Sequence, residues 1–124
     1  ATDNAGSSCA VWANGGKVII MDGTYTTGGD TTTTDVDHQN DSIYTKNGGS
    51  VEIYGGIFKY VENVWTLNER DDNRGTIKVY GGEFEKFDPA NNNSEGANTN
   101  FLADKTQHTK AVEGVYTICK VYPF

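Results

Sequence analysis

The chain has 124 residues, one domain's worth, and its 10 Lys and Arg against 17 Asp and Glu give a formal net charge of −7. Such a surface repels phosphate backbones and anionic lipid, so neither nucleic acid nor a membrane is an expected partner, and no apolar run is long enough to span a bilayer. Apolar residues make up only 35%, low for a layered globule with one thick core, while 7 Tyr, 5 Phe and 2 Trp argue against disorder.

In chain order, the first apolar run is Ala10-Val-Trp-Ala13. The turn residues Asn14-Gly-Gly16 lead it into Lys17-Val-Ile-Ile-Met21, and an Asp22-Gly23 corner precedes Thr24-Tyr25. The same order returns twice. Ser42-Ile-Tyr-Thr45 passes through Asn47-Gly-Gly49 into Val51-Glu-Ile-Tyr54, a Gly55-Gly56 corner and Ile57-Phe58. Val64-Trp-Thr-Leu67 precedes Gly75-Thr-Ile-Lys-Val-Tyr80, a Gly81-Gly82 corner and Glu83-Phe84. The corner glycines Gly23, Gly56 and Gly82 lie 33 and then 26 residues apart, a period that belongs to solenoid coils. A hairpin reading of the Gly-Gly pairs leaves that long-range phase unexplained.

Within the aligned strands the period is two. Val18, Val51 and Ile77 share one face, as do Ile20, Ile53 and Val79, whereas Ile19, Glu52 and Lys78 occupy the other. The first two sets are expected to stack as ladders inside a column, joined by Tyr25, Phe58 and Phe84, with Glu52 and Lys78 as oppositely charged neighbours outside. The expected fold is all-β: a short right-handed parallel β-helix of three coils (about 8–41, 42–63 and 64–87) with a C-terminal cap in the same domain.

That cap is read from residues 88–124. Asp88 to Asn100 is a polar, turn-forming stretch, followed by Phe101-Leu-Ala103 and a last strand, Gly114–Tyr122. A solenoid needs such an atypical end because its terminal coil otherwise exposes strand edges and apolar core. Cys9 and Cys119 sit at opposite ends of the sequence without CxxC or metal-ligand spacing, and two buried thiols are expected in preference to a bridge.

Taken together, Ala10-Val-Trp-Ala-Asn-Gly-Gly16, the strands closing in Tyr-Gly-Gly-x-Phe, and the tail Phe87-Asp-Pro-Ala-Asn91 … Glu95-Gly-Ala-Asn-Thr-Asn-Phe-Leu-Ala-Asp104 … Gly114-Val-Tyr-Thr117 resemble a family. It is the pectate-lyase-like right-handed β-helix modules of virion fibres and adhesin-like proteins of tailed phages, and of surface proteins, of gut bacteria. The resemblance runs over nearly the whole chain, and the tail is its most specific part. It implies a non-catalytic structural or receptor-binding module, often terminal in a longer or oligomeric appendage, and supplies no catalytic residues to carry over.

Carboxylates gather at Asp30, Asp35 and Asp37 and again at Glu69, Asp71 and Asp72, the second group flanked by Arg70 and Arg74. Asp30, Asp35, Asp37, Asp71 and Asp72 are weak calcium candidates only. They lie in coil-closing stretches without a fixed ligand spacing, and solvated loop charge is the favoured explanation over catalysis or calcium binding. No cofactor is expected. His38 and His108 lack a nucleophile partner in any motif and read as loop histidines. Asn40-Asp-Ser42 and Asn92-Asn-Ser94 are glycosylation sequons. The outward set Met21, Tyr54, Ile57 and Tyr80 is the candidate binding or interface surface, suited either to stacking on sugars or to packing against another chain.

The expected function is therefore a non-enzymatic structural and receptor-binding module of an extracellular or virion appendage, a phage head or tail fibre or a related fibre. A cell-surface glycan or protein is the expected receptor, and a homo-oligomer, with a trimer favoured, the expected state. The alternatives are a polysaccharide-active lyase or glycosidase of the same fold, or a bacterial surface carbohydrate-binding adhesin. An enzyme would require a solvent-facing carboxylate pair, or carboxylates with Arg, on one face of the column.

Overall fold

The computed structural model describes residues 9–27, 40–61, 64–70, 75–104 and 108–119. Every regular element among them is a strand. Three successive triplets form three tiers. They are β1 (Cys9–Asn14), β2 (Lys17–Ile20) and β3 (Thr24–Tyr25); β4 (Asn40–Lys46), β5 (Ser50–Ile53) and β6 (Ile57–Phe58); and β7 (Val64–Glu69), β8 (Thr76–Val79) and β9 (Glu83–Glu85). Equivalent strands pair in parallel from tier to tier, giving the sheets β1-β4-β7, β2-β5-β8 and β3-β6-β9. The protein is thus all-β, with its repeat expressed as strands stacked on their own equivalents.

The middle sheet follows the register set by the aligned repeat. Val18 pairs with Val51 and Val51 with Ile77; Ile20 pairs with Ile53 and Ile53 with Val79. Val51, Ile53 and Val79 are wholly buried, while Val18 is half-buried at the first tier. In the third sheet the same logic stacks rings. Tyr25 and Phe58 lie 5.1 Å apart, and Phe58 and Phe84 4.7 Å apart, with interplanar angles of 13° and 8°. Parallel in-register pairing places like residues one strand spacing apart, about 4.8 Å, which is stacking distance for aromatic rings.

The first sheet corrects one alignment. Val11 pairs with Ile43 and Ile43 with Leu67, so Ser42–Thr45 is matched by Thr66–Glu69, and the apolar run Val64–Leu67 begins two residues early. The corners behave alike in all three tiers: Gly23, Gly56 and Gly82 have φ of 108°, 109° and 112°, a conformation that side chains with a Cβ rarely adopt. At the other turn Asn47 Nδ2 donates to Asn14 Oδ1 at 2.6 Å, so the Asn-Gly-Gly turns also ladder.

The C-terminal segment closes the third tier in a different way at each sheet. Above β7, the Glu95 carboxylate accepts the Glu69 N–H at 2.8 Å. Above β8, Leu102 forms a parallel bridge with Val79, through Val79 N–H to Phe101 O and Ala103 N–H to Val79 O. Phe101 and Leu102 are buried there, against the core. Above β9, β11 (Val115–Cys119) pairs antiparallel and is itself paired by β10 (His108–Val112). The last strand is described over Val115–Cys119, residues 120–122 of the expected Gly114–Tyr122 strand lying outside the described residues, and it is half of a hairpin turned at Glu113 (φ 51°) and Gly114 (φ 79°). Two successive positive φ values at the centre of a two-residue loop match the twist of antiparallel strands.

Cys9 opens the first tier and is half-buried, while Cys119 closes the strand above the third tier. Three strand spacings, roughly 14 Å, separate those levels, about twice the Cα separation that a disulfide spans. The side chain of Cys119 lies outside the described residues.

Candidate functional site

Strand alternation turns Lys17 and Ile19, Glu52, and Thr76 and Lys78 outward from the middle sheet, opposite the buried ladder. Pairing continues one residue past the strands: Tyr54 N–H donates to Ile20 O at 2.8 Å and Tyr80 N–H to Ile53 O at 2.7 Å. Tyr54 and Tyr80 thereby come into register, their rings 4.6 Å apart and 5° from parallel. Met21 occupies the same repeat position one tier below and is 66% exposed, beside Ile19 at 54%. An apolar strip thus runs along one edge of this face.

The strip carries a small electrostatic network. Tyr54 Oη donates to Glu52 Oε1 at 3.1 Å, and Glu52 Oε1 lies 3.4 Å from Lys17 Nζ. Glu52 and Lys78 are register neighbours, yet the ion pair of Glu52 runs diagonally to the tier below. Desolvation beside Tyr80, followed by the Glu52 carboxylate, raises the Tyr54 phenol above its ordinary value, so it remains a neutral hydrogen-bond donor. The stack covers one face of each ring, and its hydroxyls and ring edges line the strip. Sugar stacking uses an open ring face, whereas edges and hydroxyls suit packing against another chain. Ile57, placed with these residues by the sequence, stands instead on β6 of the third sheet, where Thr24 and Glu83 are its register neighbours.

A second feature emerged only in three dimensions. Between β8 and the returning 95–103 segment lies a cleft of about 310 Å³, lined among others by Glu69, Thr76, Lys78, Glu95, Thr99 and Asn100. Its size is that of a small-ligand site, but several of its polar atoms bond to the backbone. Glu95 Oε2 accepts from Glu69 N–H, and Glu69 Oε2 from Ile77 N–H at 2.8 Å. Thr99 Oγ1 accepts from Glu95 N–H and donates to Gly96 O, and Asn100 Oδ1 accepts from Leu102 N–H. Chemically the cleft is the seam by which the cap is sewn to the third tier.

On β4 of the middle tier Asp41 is 4% exposed, and its Oδ1 accepts from Asn68 Nδ2 at 2.9 Å. Burial pushes its carboxyl up to about 7; the Asn68 hydrogen bond opposes the rise and the charge of Glu95 adds to it. Neither Asp41 nor Glu95 was singled out from the sequence. The available signal was a carboxylate two residues before Ile43, on the same alternation parity as that core residue.

The calcium candidates Asp30, Asp35, Asp37, Asp71 and Asp72 lie outside the described residues, as do His38, Arg74 and the side chains of His108 and Asn40. Among the described residues no three His, Cys, Asp or Glu side chains gather as a metal site. Ser42 of the first sequon is buried. In the second, Asn92 Nδ2 donates to Asp88 O and Asn92 Oδ1 accepts from Ser94 N–H, so both ends of the amide serve the cap loop. No family model, no curated protein and no solved structure matches the chain.

Proposed function

We propose that the three tiers form a right-handed parallel β-helix and that the protein is a non-catalytic structural and receptor-binding module of an extracellular or virion appendage, such as a phage head or tail fibre. The handedness follows from the general rule that a crossover between parallel strands of one sheet is right-handed in about 98% of cases. The motif resemblance over nearly the whole chain supports the role, and the single observation that carries it is the exposed strip on the middle sheet. Tyr54 and Tyr80 stacked at 4.6 Å, with Met21 and Ile19 bare beside them, make a flat apolar strip on a rigid sheet. Such a strip suits a contact between chains. The assembly is a homo-oligomer, most simply a trimer, with the tyrosine ladder at or near the subunit contact.

Native mass spectrometry and light scattering across a dilution series test this reading. A trimer that dissociates on dilution, and that Tyr54→Ser with Tyr80→Ser weakens, is the expected result. A monomer that stays folded at nanomolar concentration with both tyrosines exposed removes the interface. Incubation with polygalacturonate, alginate or capsule, with and without calcium, is expected to release no unsaturated or reducing ends. Products would replace the structural reading with a polysaccharide-active one and direct attention to Glu69 and Glu95 in the cleft.

A further inference from the structure

The tiers meet through a repeated set of main-chain contacts. Ser50 N–H donates to Gly16 O and Thr76 N–H to Gly49 O, both at 2.9 Å. Tyr54 N–H donates to Ile20 O and Tyr80 N–H to Ile53 O, while Ile57 N–H donates to Gly23 O and Glu83 N–H to Gly56 O. The equivalent donors of the first tier are Lys17, Met21 and Thr24, whose N–H groups find no acceptor among the described residues. Glycine repeats the pattern. Gly16, Gly49 and Gly75 share a repeat position, and none has a positive φ. A Cβ at Gly49 collides with Ala13 O and one at Gly75 with Gly49 O, so in both upper tiers the glycine makes room for a carbonyl of the tier below. At Gly16 a Cβ meets nothing within 4 Å among the described residues. The first tier thus carries the clearance and the donors without the coil that uses them. Its inward side chains agree, since Val11, Val18 and Tyr25 stop at half-burial.

We propose that the first-tier end is a docking edge for a further parallel β-coil supplied by a neighbouring chain. That coil lays carbonyls on the Lys17, Met21 and Thr24 N–H groups, passes another over Gly16, and covers Val11, Val18 and Tyr25. An open row of N–H and C=O groups is a template for a new strand. Strand addition takes its affinity from main-chain hydrogen bonds and its specificity from the side chains that alternate inward. Parallel register is what the Gly16 clearance fits, because both filled examples, at Gly49 and Gly75, lie between parallel tiers. A second copy has no matching end to offer: Glu95, residues 101–103 and β11 already lie over its third tier. The partner coil therefore belongs to a chain of different sequence. The contact runs along the column axis and stands apart from the lateral contact proposed at Tyr54 and Tyr80.

The probe is a labelled synthetic peptide of residues 40–61, whose Gly49, Ile53 and Gly56 carbonyls accept the equivalent donors of the third tier within the protein itself. Fluorescence anisotropy of the peptide, titrated with the full-length protein, measures binding, and hydrogen exchange locates it. Peptide at about ten times its Kd is expected to slow the Lys17, Met21 and Thr24 amides about tenfold, with Ser50, Tyr54 and Ile57 unchanged. Gly16→Ala is expected to melt as the wild type does yet bind the peptide about tenfold more weakly or worse, because the new Cβ meets the incoming carbonyl. Tyr54→Ser with Tyr80→Ser is expected to bind the peptide as the wild type does. Absence of binding, or full binding by Gly16→Ala, overturns the proposal. Loss of binding in the double tyrosine variant places the peptide on the lateral strip and overturns it too. Protection of the three amides in the protein alone also overturns it: protection at every concentration means that the chain covers its own end, and protection that grows with concentration assigns the end to a second copy.

Discussion

The third tier and the first tier are made of the same repeat but end differently. At the third tier each strand has a partner beyond it: the Glu95 carboxylate over β7, residues 101–103 over β8 and β11 over β9. At the first tier, β1, β2 and β3 pair on one side only among the described residues. Burial follows that difference. Val11, Val18 and Tyr25 are half-buried, whereas their equivalents Ile43, Val51 and Phe58 are wholly buried one tier up. A repeat position therefore has no fixed energetic weight. Its contribution depends on whether a tier lies on both sides of it, as expected where each unit is stabilised chiefly by its neighbours.

The largest expected effect is in the middle tier. Ile53→Ala should destabilise by about 2–5 kcal/mol, as for a buried aliphatic that leaves a cavity. The like-for-like comparison is Val51→Ala, at about 2–3 kcal/mol, against Val18→Ala, at about 1 kcal/mol or less. Urea denaturation would measure all three, and equal losses at positions 18 and 51 would break the contrast between tiers.

The middle tier should also give the protein a pH-dependent stability. Asp41 has a folded-state value raised to about 7, so its favourable contribution is complete below the unfolded carboxyl value and is lost as pH rises through 7. Between pH 5 and 7 that loss amounts to about 2–3 kcal/mol at about 1.4 kcal/mol per pH unit. The difference between wild-type and Asp41→Asn stability curves isolates it from the other carboxylates. A difference that does not change with pH would show that Asp41 is already ionised when folded.

Glycine substitutions sharpen the comparison further. Gly16, Gly49 and Gly75 occupy equivalent repeat positions. A Cβ at Gly16 meets nothing within 4 Å; at Gly49 it runs into Ala13 O, and at Gly75 into Gly49 O and the Thr45 side chain. Gly49→Ala and Gly75→Ala are expected to cost about 1–3 kcal/mol through forced backbone shifts. Gly16→Ala should fall within about 0.5 kcal/mol of neutral. Thermal melts of the three variants decide the matter. The smallest effect is at the surface: Lys17→Met, which removes the 3.4 Å contact with Glu52, should cost about 0.5 kcal/mol or less and lose even that at 1 M salt.

Much of the stack was legible because its information is local and repeated. Alternation along Val18-Ile19-Ile20, Val51-Glu52-Ile53 and Ile77-Lys78-Val79, with glycines in phase, allows one register only. The first sheet was less legible, since Val64-Trp65 extends an apolar run past the register and misleads by two residues. The cap was legible as a segment but not as a hairpin. Strand β10, His108–Val112, is polar apart from Ala111 and Val112 and gives little strand signal of its own; it forms because β11 offers it an edge.

By itself, then, the sequence determined which residues lie over which through three tiers, because a period of two within a longer repeat turns every strand the same way. Only the tertiary structure decided what happens at the ends and around the strands. Stacking of Tyr54 on Tyr80 covered one face of each ring. Burial beside Asn68 turned the strand residue Asp41 into an acid whose carboxyl is pushed up to about 7. Both depend on contacts between residues 26 or more apart in the chain, where local pattern carries no information and the dielectric of the site is set by whatever folds over it.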